Sequence, residues 1–362
     1  MHSFNLTRWV FIILFLFGLI SGLHFTREFL IPVAFATVLA MLLLPLSRWF
    51  EKKGLGRGMA ALISILLILF LLTGIIWLLS WQISTFSEDF GNIKQKISGF
   101  AIQAREYVSN TLGISQDQQK KIMKQQQSGG GGAGKMVTSI LSAVMGILVD
   151  FILILVYIFL LLFFRSHLKK FVMMQMKGDE KPEARIMIEG SSKVVQQYLS
   201  GLGLMIVCLW IMYGIGFSIV GVKHAIFFAI LCGLLEIIPF VGNLTGTSLT
   251  ILMAASQGGS SGMIIGIIIT YLVVQFLQTY ILEPLVVGAE VNINPLFTIL
   301  VLVAGELVWG IAGLVLAIPL LGMVKIICDH VDPLKPYGFL IGGEKKAKSK
   351  SGIIEKIKGK FK

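Results

Sequence analysis

Leu234-Leu235-Glu236-Ile237-Ile238-Pro239-Phe240-Val241-Gly242-Asn243 sets an acid, a helix breaker and a glycine inside an apolar run covering about 225–255. A carboxylate at membrane depth is costly, and lipid offers nothing to the backbone groups that Pro239 frees. Such backbone is tolerated only where it faces protein or a watery cavity, so the stretch reads as a broken transmembrane helix lining a solute path. The composition around it agrees. Of 362 residues, 56% are hydrophobic and 14% charged, and the mean hydropathy is +0.85. No single soluble core hides that much apolar surface. The expected fold is an all-α polytopic membrane protein with about eight transmembrane segments, two of them broken or re-entrant, and a helical extramembrane insert.

The formal charge of +12 does not indicate nucleic acid, because Lys and Arg gather in short connections and in the C-terminal tail, as in membrane proteins with basic cytoplasmic loops. Cys208, Cys232 and Cys328 lie far apart in or beside apolar runs and form no CxxC pair. They read as packing residues, and nothing in the sequence calls for a metal or a cofactor.

Outward from the central stretch, residues 1–81 hold three spans, at 9–23, 29–46 and 59–81. The first has Arg8 before it but no small-x-small cleavage site after it, and reads as a permanent anchor. The connection 47–58 has Arg48, Lys52, Lys53 and Arg57 against Glu51, so it is expected in the cytoplasm. The insert 82–135 carries Phe86, Phe90, Ile93, Ile97, Phe100, Ala104 and Tyr107 at alternating four- and three-residue steps, an amphipathic helix. That stripe suits either a partner-binding module or packing on the protein itself or a neighbouring copy. Its end, Ser128-Gly129-Gly130-Gly131-Gly132-Ala133-Gly134-Lys135-Met136, nearly spells a phosphate-binding loop. Met136 replaces the needed Ser or Thr and no strand precedes it, so it reads as a linker.

A fourth span at 136–164 leads to a polar connection, 165–200, expected in the cytoplasm as a loop carrying Pro182 and then a helix. Residues 201–330 hold the remaining spans, at 201–222, 225–255, 262–282 and 296–327, and form the expected transport core. The last run would reach about 48 Å as a straight helix, more than the ~30 Å hydrocarbon core, so it must bend or break at Gly305-Glu306, Gly310 or Gly313. The tail 331–362, with eight lysines after Glu344, suits anionic lipid on the cytoplasmic face. An even number of spans puts both termini there.

The two broken runs resemble each other. Phe228-Ala229-Ile230-Leu231 precedes Glu236, and Phe297-Thr298-Ile299-Leu300 precedes Glu306, each acid followed by glycine breaks. Paired interrupted segments mark internally repeated transporters, although short apolar matches also arise by chance. Between them Gln275, Gln278, Thr279 and Glu283 share one helical face ahead of Pro284, either as a solute lining or as glue between helices.

Four blocks together, Glu236-Ile237-Ile238-Pro239-Phe240-Val241-Gly242, Leu282-Glu283-Pro284-Leu285-Val286-Val287-Gly288, Asn294-Pro295-Leu296, and Gly310-Ile311-Ala312-Gly313 with Ala317-Ile318-Pro319, resemble the signature of the AI-2E family of bacterial and archaeal membrane proteins. The resemblance covers most of the chain. It implies a secondary transporter of the bacterial cytoplasmic membrane that exports autoinducer-2 or a related small polar molecule, with quorum sensing as its setting and a homo-oligomer, a pentamer first among the options, as its assembly. Some relatives are linked to Na+(Li+)/H+ antiport, so a small-molecule or ion substrate is implied without being fixed. The sequence departs from the family pattern at Asn294, where His is common, and at Asn243, where Pro is common. The candidate transport residues are Glu236, Pro239, Gly242, Asn243, Gln275, Gln278, Glu283, Pro284, Asn294, Pro295, Glu306, Gly310 and Gly313.

The sequence also bears on two other functional classes. Gly258-Gly259-Ser260-Ser261-Gly262 matches GxSxG, yet neither the strand nor the intramembrane His that such a serine needs is present. The chain is therefore not expected to be an enzyme. A membrane scaffold acting through the insert is the third option, and acids retained at membrane depth speak against it.

Overall fold

The computed structural model describes residues 6–85, 133–176, 181–239, 241–256, 258–287 and 293–343. The stripe from Phe86 to Tyr107, residues 128–132 of the glycine linker and the lysine-rich tail lie outside the described residues. In chain order the helices are α1 Leu6–Phe25, α2 Arg27–Lys52, α3 Arg57–Thr85, α4 Ala133–Phe163, α5 Arg165–Gln175, α6 Lys181–Val220, α7 Ala225–Leu235, α8 Val241–Ser256, α9 Ser261–Leu277, α10 Pro295–Trp309, α11 Ile311–His330 and α12 Lys335–Ile341. α9 runs on into a π-helical segment, Gln278–Val287. Among the described residues no strand forms, and one isolated bridge pairs Ile293 with Gly342. The chain is an all-α polytopic membrane protein.

Five segments are long and apolar enough to cross a bilayer: Arg27–Lys52, Arg57–Trp81, Lys181–Val220, Ser261–Glu283 and Ile311–His330. A sixth is added if Leu148–Phe163 and Arg165–Gln175 count as one bent span. α6 has 40 residues, about 60 Å, so roughly half of it must lie outside the hydrocarbon. The polar connection after α4 is thus mostly helical: α5 fills its start, and the helix beginning at Lys181 continues without a break into the fifth span.

The chain divides into two compact units, one formed by 28–165 with 202–283 and the other by 1–27, 166–201 and 284–362. In the first, α2, α3 and α4 meet through Ala36, Ala40, Leu43, Ala61, Ile65, Ile158 and Leu162, where alanines let the helices approach closely. A second core joins α6 to α7, α8 and α9 through Leu209, Tyr213, Phe217, Phe228, Cys232 and Ile267. In the other unit α10 folds back on α11, and α12 packs on the end of α11, where Gly338 lies against Asp329.

Candidate functional site

The run expected to be a broken or re-entrant segment, 225–255, is a helical hairpin. α7 has 11 residues and α8 has 16, about 16 Å and 24 Å, so neither crosses ~30 Å of hydrocarbon alone. The two pack side by side. Gly246 sits against Cys232, where an added β-carbon would lie 3.0 Å from the Cys232 Cα, and a β-carbon on Gly242 would run into the Leu235 carbonyl. These glycines let two backbones touch with no side chain between them. Backbone bonds hold the described part of the turn: Glu236 N–H donates to Cys232 O (3.2 Å), Ile238 N–H to Leu235 O (2.9 Å) and Gly242 N–H to Ile238 O (3.0 Å). Pro239 sits where no donor is required.

Glu236 is the residue after α7 and is half-buried. Gln278 Nε2 donates to its Oε1 at 2.7 Å. Gln278 is 1% exposed, and Glu283 lies further along the same π-helical segment. The Gln278 Oε1 is buried without a partner. A buried amide on a carboxylate, with a spare acceptor, can accommodate a proton or a small cation by exchanging donor and acceptor ends. Glu283 is exposed in the isolated chain, and Pro284 follows it within the π-helical segment. Wider turns of this kind occur often where a helix must re-aim side chains.

Beside this group runs a second network. Tyr213 O–H donates to Asn243 Oδ1 (2.7 Å), Asn243 Nδ2 donates to Gln275 Oε1, and Gln275 Nε2 donates to Thr279 Oγ1 (3.3 Å). Asn243 is 4% exposed and Thr247, one turn further along α8, 6%. Tyr213 and Thr247 were not singled out by sequence reasoning. Asn243, Thr247 and Thr250 are spaced four and three residues apart on a helix of otherwise small and apolar residues, and that spacing was the signal available.

The other candidates belong to the second unit. Asn294 caps α10, its Oδ1 accepting from Leu296 N–H at 3.0 Å, with Pro295 in the first helical turn. Asn294 N–H donates to Ile341 O at 2.8 Å, tying the start of α10 to the end of α12. Gly310 breaks the run expected at 296–327: its φ of 61° and ψ of −139° are open to glycine and costly for other residues. α11 then returns along α10, with Gly313 against the backbone of Gly305. The eighth run is therefore also a hairpin, and its ends meet where Ile293 pairs with Gly342. Its turn is held by α1, through Trp309 Nε1 donating to Leu23 O (3.0 Å) and His24 Nδ1 lying 3.1 Å from Val308 O. Glu306 stands exposed on α10. Ser260 of the GxSxG match accepts from Met263 N–H at 3.3 Å as the N-cap of α9.

The AI-2E family transporter model matches residues 10–332. Two candidate transport proteins of Bacillus subtilis are similar along nearly the whole chain. YrrI is 24% identical over 315 residues, 84% of this chain and 87% of its own length. YueF is 24% identical over 323 residues, 83% of this chain and 84% of its own. YhhT of Escherichia coli, likewise a candidate transport protein, is 20% identical over 326 residues, covering 90% and 91%. With paired hairpins, acids inside apolar helices and a family match over most of its length, the chain belongs to the AI-2E family of membrane transporters.

Proposed function

We propose that the chain is a secondary transporter that exports a small polar solute of the autoinducer-2 kind across the bacterial cytoplasmic membrane on an ion gradient, with Glu236, Gln278 and Glu283 as the coupling group. The observation that carries this reading is the hydrogen bond from buried Gln278 to Glu236, with Glu283 further along the same π-helical segment, beside the turn of a hairpin too short to span. Acids kept in apolar helices mark ion and proton paths. The adjoining Tyr213, Asn243, Gln275 and Thr279 offer the hydroxyl and amide groups that a hydroxylated solute would engage. Glu306, exposed on α10 in the other unit, is no part of this coupling group. The basic connection 47–58 and the lysine-rich tail support a cytoplasmic position for both termini.

The test is flux in proteoliposomes with and without a pH or sodium gradient. Glu236→Gln and Glu283→Gln keep shape and hydrogen-bonding capacity but carry no charge. Both are expected to fold and to lose gradient-driven transport; parent-like rates with unchanged pH dependence in both would refute the assignment. A second reading, Na+(Li+)/H+ antiport with no organic solute, is favoured by the unpartnered Gln278 Oε1, since oxygen-rich sets suit hard cations. Collapse of a preset pH gradient on adding Na+ or Li+ alone separates the two.

A further inference from the structure

The sequence assigned 165–200 to a polar cytoplasmic connection, yet α5 within it has one face that water does not suit. Its 11 residues carry Arg165, Lys169 and Lys170 and no acid. One side is engaged by protein. Arg165 pairs with Glu51, Lys169 Nζ lies 3.1 Å from Glu189 Oε1, which Arg185 Nε shares at 3.0 Å, and Val172 and Met173 are half-buried. The opposite side holds Leu168, Phe171 and Met174, exposed by 44%, 58% and 74%. Three-residue steps place them within about 120° of one another around the helix. Lys170 borders this stripe, and exposed His167 and Gln175 fall within it beside Phe171.

We propose that α5 is an interfacial helix that lies in the headgroup region of the leaflet where α4 ends, with Leu168, Phe171 and Met174 in the acyl boundary and Lys170 on anionic lipid phosphate. The position follows from the chain: α4 closes with Phe163 and Phe164, and Arg165 follows at once, so α5 starts at the interface. Three basic residues in 11 bar it from the hydrocarbon. Free in water, it would expose its three largest apolar side chains. A second protein is a poor occupant, because three side chains fall far short of the roughly 800 Å² per partner that a stable protein interface buries. A basic helix with an aromatic and aliphatic face beside a spanning segment fits a lipid surface, immersed by about 5–10 Å.

Spin labels on cysteines introduced one at a time from Ser166 to Gln175, in the full chain in nanodiscs, test this, with the parent signal as background. Collision with oxygen should exceed collision with a water-soluble nickel chelate severalfold at positions 168, 171 and 174, and the order should reverse at 166 and 170. Nickel dominating at every position would mean a helix in water and overturn the proposal. Low access to both reagents along the stripe would mean a protein partner and do the same. In nanodiscs with phosphatidylglycerol the label at 171 should sit deeper than in phosphatidylcholine alone, and Lys170→Gln should reduce the difference. Equal depth in the two lipids would overturn the anionic preference.

Discussion

The link between Tyr213 and Asn243 ties α6 to α8 and gives the sharpest test of the polar network. Both side chains are buried, at 1% and 4% exposure, and their hydrogen bond is 2.7 Å long. Asn243→Ala removes that acceptor and also the donor to Gln275, so the Tyr213 hydroxyl and the Gln275 carbonyl oxygen each lose a partner. In a soluble core each loss would cost roughly 1–3 kcal/mol. Between membrane helices measured hydrogen bonds average about 0.6 kcal/mol and reach about 1.7, because the chain unfolded in the membrane also finds partners. The membrane values are the relevant ones here, giving about 1–3.5 kcal/mol for Asn243→Ala. Tyr213→Phe removes one hydroxyl and keeps the Gln275 bond, so about 0.6–1.7 kcal/mol is expected. Equilibrium unfolding in mixed micelles of the two single variants and the double variant isolates the pair. A coupling energy of about 0.6–1.7 kcal/mol is expected, and one within about 0.3 kcal/mol of zero would show that the contact contributes nothing.

Gly310→Ala places a β-carbon on a backbone with φ 61° and ψ −139°, which should cost about 1–3 kcal/mol; thermal melting in detergent checks this, and an unchanged midpoint would show that the turn adapts. Cysteines introduced near Lys52 and Lys181 should be shielded from an impermeant reagent in whole cells while one near Gln118 is labelled, and labelling at Lys52 would overturn the orientation. The protein purified in mild detergent should run larger than a monomer, with Phe90→Asp and Ile97→Asp weakening either assembly or docking of the insert; a monodisperse, active monomer would refute that reading.

The membrane class was legible because it rests on composition, and the breaks at Pro239 and Gly310 were legible because each residue acts locally. What the runs do after the break was not. A bent span and a hairpin have the same hydropathy and the same breaker. The choice lies in tertiary contacts, Gly246 on Cys232 and Gly313 on Gly305, which no local pattern announces. Glu236 and Gln278 are 42 residues apart in sequence, so their pairing was beyond spacing arguments, although the face shared by Gln275, Gln278, Thr279 and Glu283 was readable. Asn294 drew notice as a family departure, and the structure gives it a capping role that its position before Pro295 already allowed.

A hairpin cut from one long apolar run has a consequence for how the protein is made. Insertion machinery judges a nascent segment largely by its apolar length, and 225–255 is long enough to be threaded across once. The native chain turns back after Glu236, so α8 ends on the side where α7 began. A single threading would deliver everything after Ser256 to the wrong side, α9 and its polar face included. The native orientation of α9 is therefore expected to depend on α7 and α8 meeting as the chain inserts. Gly242 and Gly246, which let them meet, therefore act on topogenesis before they act on transport, and bulkier residues there should yield inverted molecules as well as unstable ones.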